Sequence, residues 1–147
     1  MAWLYNGNEV RDEDLEGFVA FVYVITRKSD GKRYFGKKRL LKKVTRKPLK
    51  GKKRKRVTYS ESDWRDYWGS NDDLKAEVER EGELGYTREI LWFCKTLGES
   101  SYLEAKVQII NDVLLYPDRF YNQWIQLKVS SSHLKHLRND LPLLDQG

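Results

Sequence analysis

The chain has 147 residues, enough for one domain with a real core and short for two. No apolar run approaches the roughly 18–20 residues of a membrane span; the single cysteine, Cys94, excludes an internal disulfide, and one Cys with His133 and His136 argues against a structural zinc site. The net charge of +6 is gathered in one place: Arg27 to Arg56 holds 17 Lys/Arg and one acid, Asp30, while the rest of the chain holds 11 basic and 21 acidic residues, so a polyanion is the expected partner of that segment.

Met1 to Gly7 shows no basic start followed by an apolar stretch, so no secretion signal is expected, and with the lone cysteine a cytoplasmic location follows. Residues 1–17 are mostly polar and predict an N-terminal extension, with Trp3 and Tyr5 laid on the body. Phe18 to Thr26 is rich in Val, Ile and aromatic residues and predicts a buried strand; Lys32 to Lys38 predicts its partner, because Ser29-Asp30-Gly31-Lys32 between them carries the Asp-Gly signal of a hairpin. The register of that hairpin carries a test. A loop of two or four residues puts Tyr23 and Tyr34 on one face of the sheet; a three-residue loop does not, unless a bulge intervenes.

Residues 40–60 contain Pro48, Gly51 and dense Lys/Arg with little apolar pattern, and predict a mobile basic loop. Lys38, Arg39, Lys42, Lys43, Lys52, Lys53, Arg54, Lys55 and Arg56 are its expected contacts to a nucleic-acid backbone. Ser62 to Gly69 predicts a short helical turn. Ser70 or Asn71 then caps a helix that carries Asp72 and Asp73 at its positive end and stops near Gly82. Tyr86 to Cys94 predicts a third strand. Ser100 or Ser101 is expected to cap a further helix to about Leu115, with Leu103, Val107, Ile110 and Leu114 toward the core and Pro117 ending it. Tyr121-Asn122 opens a segment over the last strand edge or the core rim. The tail, 123–147, has a modest helical pattern at Leu134, Leu137 and Leu141. The order predicts a single α+β domain with a small three-stranded antiparallel sheet flanked by helices and a long basic loop.

Six short words recur in order: Phe21-Val22-Tyr23-Val24-Ile25, Tyr34-Phe35-Gly36-Lys37-Lys38, Trp64-Arg65-Asp66-Tyr67-Trp68-Gly69-Ser70, Arg88-Glu89-Ile90-Leu91, Tyr102-Leu103-Glu104 and Tyr121-Asn122. From Val19 to Asn122 the chain resembles the catalytic domain of the GIY-YIG nucleases, most closely the phage-type homing endonucleases of the Seg group. The resemblance implies hydrolysis of a phosphodiester in double-stranded DNA by a single attack of water, leaving 5′-phosphate and 3′-hydroxyl ends, with Mg²⁺ (or Mn²⁺) held by Glu104. It makes Tyr23 the candidate base for the attacking water, or a group that positions it, and Tyr34 the second tyrosine, holding water or phosphate. A free phenol has a pKa of about 10, high for a base near neutrality, so nearby cations would have to favour the phenolate. Lys37 could reach a phosphate, and Asn122 matches an asparagine placed near the metal site. Tyr67 matches the histidine or tyrosine of the first helix. Several relatives carry an arginine one turn before that residue; here Asp63 stands four residues earlier, and Arg65, Arg54 and Arg56 are the candidates. Phe21 stands where the family has the glycine of its first motif.

The expected species is a monomer or weak homodimer, a monomer nicking and a dimer or second event breaking both strands. Seg-type relatives often add a DNA-reading domain; with no room for one after Asn122, specificity is expected from the basic loop, the N-terminal extension or a partner. Three rival readings remain at this level. A catalytically inactive nucleic-acid binder of the same fold would rely on charge alone, an RNA-binding protein with a basic arm would show no metal dependence, and a Trp-rich interaction protein would bind no nucleic acid.

Overall fold

A computed structural model describes residues 2–134 and 136–137 of the chain. The main sheet has five strands, not three. In chain order they are β1 (Leu4–Tyr5), β2 (Asn8–Glu9), β3 (Ala20–Arg27), β4 (Arg33–Arg39) and, later, β7 (Tyr86–Cys94), in spatial order β2-β1-β7-β3-β4. The sheet is mixed, because β1 runs parallel to β7, pairing Leu4 with Glu89 and Tyr5 with Ile90. Residues 1–17 are therefore not an extension laid on the body. Trp3 is 3% exposed, and its indole N–H donates to the carbonyl of Trp64 at 2.8 Å. β1 also pairs with β2 across the Asn6-Gly7 turn, both residues at positive φ, and a hairpin this short is held in place by the long-range pairing with β7.

The central strand β3 is buried on both faces. Phe21, Tyr23 and Ile25 enter an aromatic layer with Trp3, Trp64, Leu74, Tyr86 and Ile90. Ala20 and Val22 face Leu103, while Val24 meets Phe35 and Val113. Phe21 is fully buried and packs edge-on to Trp3 and Trp64. The β3–β4 pairing joins Tyr23 to Gly36 and Ile25 to Tyr34. The Arg27 N–H bonds the Lys32 carbonyl, which leaves the four residues 28–31 as the loop, with Gly31 at φ +76°. Tyr23 and Tyr34 thus share a face, as a four-residue loop requires.

Helix α1 (Asp72–Glu81) starts and stops where expected: the Asn71 side chain accepts from the Leu74 N–H, and Gly82 follows its last turn at φ +92°. Helix α2 (Leu97–Ile110) does not. Its cap is Thr96, which accepts from the Glu99 N–H, rather than Ser100 or Ser101, and it ends at Asn111, well before Pro117. Leu103 is buried, but Ile110 and Leu114 are 57% and 46% exposed, so the expected core stripe covers only the helix's middle turns.

Residues 40–60 do not form a loop. They form a separate antiparallel pair, β5 (Leu41–Arg46) with β6 (Arg56–Glu61). Val44, Thr45, Val57, Thr58 and Tyr59 are strand formers on either side of the Pro48–Gly51 turn, and that pattern prevails over the charge. Among the described residues no helix is long and apolar enough to cross a membrane. A 3₁₀ turn, Ser131–Leu134, lies in the tail; Leu141 of the expected tail pattern falls outside the described residues.

Candidate active site

β4 is the edge strand of the main sheet, and its outward backbone groups are met by side chains and loop rather than by another strand. Arg33 exchanges hydrogen bonds with Arg119 and Tyr121. The Asn122 amide accepts from the Phe35 N–H at 3.1 Å and donates to the Phe35 carbonyl at 2.8 Å, where Gln108 also donates. One residue pair farther, the Glu104 carboxylate lies within hydrogen-bonding reach of the Lys37 backbone N–H. A buried strand edge without partners would be costly; here the partners gather α2 and the 119–122 segment beside the strand. They frame a cavity of about 370 Å³ lined by Tyr34, Lys37, Ser70, Glu104, Gln108 and Asn122, with the start of α1 and Trp124 at its rim.

The two tyrosines come from the face of the sheet opposite α2. Tyr23 reaches the edge because its cross-strand neighbour is glycine. A Cβ at Gly36 would lie 2.4 Å from the Tyr23 hydroxyl and 2.6 Å from its Cζ, so only glycine leaves the ring room to lie over β4. The β3–β7 register shifts between Val22 and Tyr23, and such a bulge re-aims the side chain beside it. The Tyr23 and Tyr34 rings are 6.2 Å apart, and the Tyr34 hydroxyl is 2.8 Å from Ser70 Oγ. Tyr67 crosses the Tyr23 ring edge-on at 6.1 Å and hydrogen-bonds its hydroxyl.

Burial sets the protonation of this group. The Tyr23 phenol is held well above its ordinary pKa, first by desolvation, then by Tyr34, Tyr67 and Glu104. Tyr34 is raised as well, by burial, against the opposing hydrogen bond of Ser70. The Glu104 carboxyl is also pushed up by burial, with Lys37 acting in the opposite sense. Glu104 thus faces Lys37 on its own side of the sheet and is felt by both tyrosines on the other.

Other expectations need correction. Arg65 is absent from the cavity lining: its guanidinium binds Asp12 and Glu61, each at 2.9 Å, and stacks over Trp64. Arg54 and Arg56 belong to the β5–β6 pair, Arg54 in its turn and Arg56 at the end of β6 farthest from the body. Among the described residues no arginine lines the cavity, and Lys37 is the one cation that does. Lys37 Nζ is 2.6 Å from Ser101 Oγ. Lys38 pairs with Asp63 and covers the Tyr67 ring, so this cation is already engaged. Asn122 is 7% exposed and spent on Phe35, which makes it a clip on the strand edge rather than a free phosphate contact.

Sequence reasoning missed Gln108, Ser70 and Ser101. Gln108 follows Glu104 by four residues and so shares its helix face, which was the available signal. Ser70 and Ser101 carry no comparable mark.

Among the described residues no group of three His, Cys, Asp or Glu side chains could hold a metal. One desolvated carboxylate at a strand edge still suits a hard ion such as Mg²⁺, which keeps several waters and takes further oxygens from a bound phosphate.

Residues 3–125 match the family model described as "Putative endonuclease segE, GIY-YIG domain". The chain belongs to this GIY-YIG nuclease family. The match begins at Trp3, in agreement with β1 being part of the sheet. No curated protein and no solved structure gives a significant match.

Proposed function

We propose that this GIY-YIG domain is a metal-dependent DNA endonuclease that hydrolyses one phosphodiester per visit and leaves 5′-phosphate and 3′-hydroxyl ends. The observation that carries the reading is the convergence at the β4 edge. Tyr34 lines the cavity from one face and Lys37 and Glu104 line it from the other, while Tyr23, 1% exposed, lies behind Tyr34 with its hydroxyl over Gly36. Glu104 would hold the ion, which when bound polarises the scissile phosphate and stabilises the leaving oxygen.

The remaining work falls to the chain's own groups. Lys37 Nζ exchanges Ser101 for a phosphate oxygen and stabilises the charge that builds there. The Tyr34 hydroxyl, fixed by Ser70, orients the phosphate or the attacking water. Tyr23 stays protonated at neutral pH because its site is dry. Its hydroxyl therefore positions the attacking water, whose proton is released to solvent, unless cationic charge brought with the substrate lowers the Tyr23 pKa. Lys37 takes the place of the arginine that Arg65 does not supply.

Supercoiled plasmid incubated with the protein tests the reading. Nicked or linear product in Mg²⁺, none in chelator, and ends that ligate without phosphorylation are the expected results. Cleavage that persists in chelator removes the metal from the mechanism, and an intact plasmid across divalent ions overturns the reading.

A further inference from the structure

The β5–β6 pair stands on the body by its root alone. Leu40 is buried, and the Ser62 N–H donates to the Leu40 carbonyl at 2.9 Å. Beyond the root every residue of the pair is exposed except the half-buried Val44. An isolated two-stranded ribbon is marginal in water, and this one carries a further penalty. Arg46 and Arg56 are direct cross-strand partners, and like charges in that relation repel. Among the described residues neither has a carboxylate partner. The only acid between Leu41 and Glu61 is Glu61 itself, at the root and committed to Arg65 and Trp64. The protein thus builds an ordered ribbon whose charge it does not neutralise, and the complement has to be a polyanion.

The register says what the ribbon can do with that polyanion. One face carries Lys42, Val44 and Arg46 opposite Ser60, Thr58 and Arg56. Paired guanidinium forks with hydroxyls beside them are the side chains that read base edges, Arg taking guanine O6 and N7 together. A two-stranded ribbon also matches the width of the DNA major groove, about 12 Å. The ribbon root shares a second cavity with Lys37, Lys38 and Arg39, and Lys37 also lines the catalytic cavity, so one basic path joins the two. Six residues per strand place the Arg46–Arg56 pair roughly 20 Å from that root.

Resting on the nuclease reading above, we propose that β5–β6 is a major-groove reading ribbon. Its Arg46/Arg56 face contacts bases, with guanine preferred, roughly half a helical turn from the phosphate that is cut. The domain then carries sequence preference within itself, through an element more than a non-specific charge.

A charge-preserving double variant separates reading from attraction. A randomised duplex library is retained on the full-length protein in chelator, so that binding is measured without cleavage, and is sequenced. Wild type should enrich guanine at one or two fixed positions. Arg46→Lys/Arg56→Lys keeps the net charge and should flatten that enrichment by about tenfold or more, since lysine cannot make the forked contact. Replacing the preferred guanines with 7-deazaguanine, which removes the major-groove N7, should lower wild-type retention by a similar factor. No enrichment by wild type, or enrichment that survives the lysine pair and 7-deazaguanine, overturns the ribbon proposal. Plasmid cleavage in Mg²⁺, run in parallel, reports on the nuclease reading alone, so the two can fail separately.

Discussion

Between Ala20 and Arg39 the chain builds a hairpin whose first strand is buried at six of eight positions; between Leu41 and Glu61 it builds another whose second strand is exposed at all six. The hydrogen-bond ladders are of the same kind. In the first hairpin, tertiary packing fixes the side chains of the buried strand, and one absent Cβ at Gly36 decides where the Tyr23 hydroxyl lies. In the second, beyond its root, only Val44 is half-buried and the other side chains stand exposed. Chemistry that needs fixed atoms sits on the first, and contact with a long, variable ligand sits on the second. The difference also says which substitutions matter. Small changes of shape should be ruinous in the buried hairpin and silent in the exposed one, while changes of charge should behave the other way.

The largest effect is expected at Glu104, the carboxylate proposed to hold the ion. Glu104→Gln should reduce Mg²⁺-dependent cleavage below detection while leaving DNA retention within a few-fold, because the ion serves chemistry and the ribbon serves affinity. The same substitution should stabilise the fold. Burial raises the Glu104 pKa, so its charged form costs stability above that pKa, and the cost vanishes as pH falls below the ordinary carboxyl value. Melting curves should show the Gln variant the more stable near pH 7, with the gap closing toward about pH 4. Wild type alone should gain stability from Mg²⁺. A carboxylate that merely packs would give none of this pH pattern.

Gly36→Ala comes next. Its methyl would overlap the Tyr23 hydroxyl, and relieving that overlap should cost about 1–3 kcal/mol in urea unfolding and most of the single-turnover rate. The contrast is Gly51→Ala in the ribbon turn, where no atom lies within 4 Å and only the positive φ resists. It should cost about 1 kcal/mol or less and leave the rate alone.

Tyr23→Phe should lower the single-turnover rate about 10²–10⁴-fold while the melting temperature moves little, because the ring remains. A rate within a few-fold of wild type would reduce Tyr23 to packing. Smallest in stability is neutralisation of Lys52, Lys53, Arg54, Lys55 and Arg56 together. Unfolding should shift by less than about 0.5 kcal/mol. Affinity should fall for all duplexes, and the slope of log affinity against log salt should flatten by about 0.9 for each phosphate that the variant no longer neutralises. Single-turnover rates at saturating DNA should hold in this variant and in Arg65→Ala, because no arginine among the described residues lines the cavity. A sharp drop in either returns an arginine to the mechanism.

The buried hairpin was legible because its signals are local. Alternating apolar residues and the Asp-Gly turn marked the two strands, and the loop of four residues then puts Tyr23 and Tyr34 on one face, which the sequence alone had left open. So was α1, with Ser70 or Asn71 as the expected cap and Gly82 as the stop; the ordered family words also named Glu104 and Asn122, which line one cavity. β1 was missed although Asn6-Gly7, both at positive φ, is a local hairpin signal that joins it to β2; only its parallel pairing with β7, more than eighty residues away, left no local trace. The ribbon was hidden by its charge, although Val44-Thr45 and Val57-Thr58-Tyr59 frame its turn. The α2 start was misplaced by Gly98 in the first turn; Thr96 with Glu99 three residues on was the better signal. The arginine went wrong because sequence proximity to Tyr67 does not show that Arg65 turns away to Asp12 and Glu61.

The clip that Asn122 makes on Phe35 orders events in time as well as in space. While the protein is being synthesised, the tyrosine hairpin emerges long before residue 122 leaves the ribosome. Until then the outer edge of β4 stays unsealed, open to pairing with another chain, and the Glu104 helix has no partner segment to hold it beside that edge. The candidate site therefore comes together in the last stretch of the described domain to appear, and a nascent chain stalled before that point should be prone to pair with other chains.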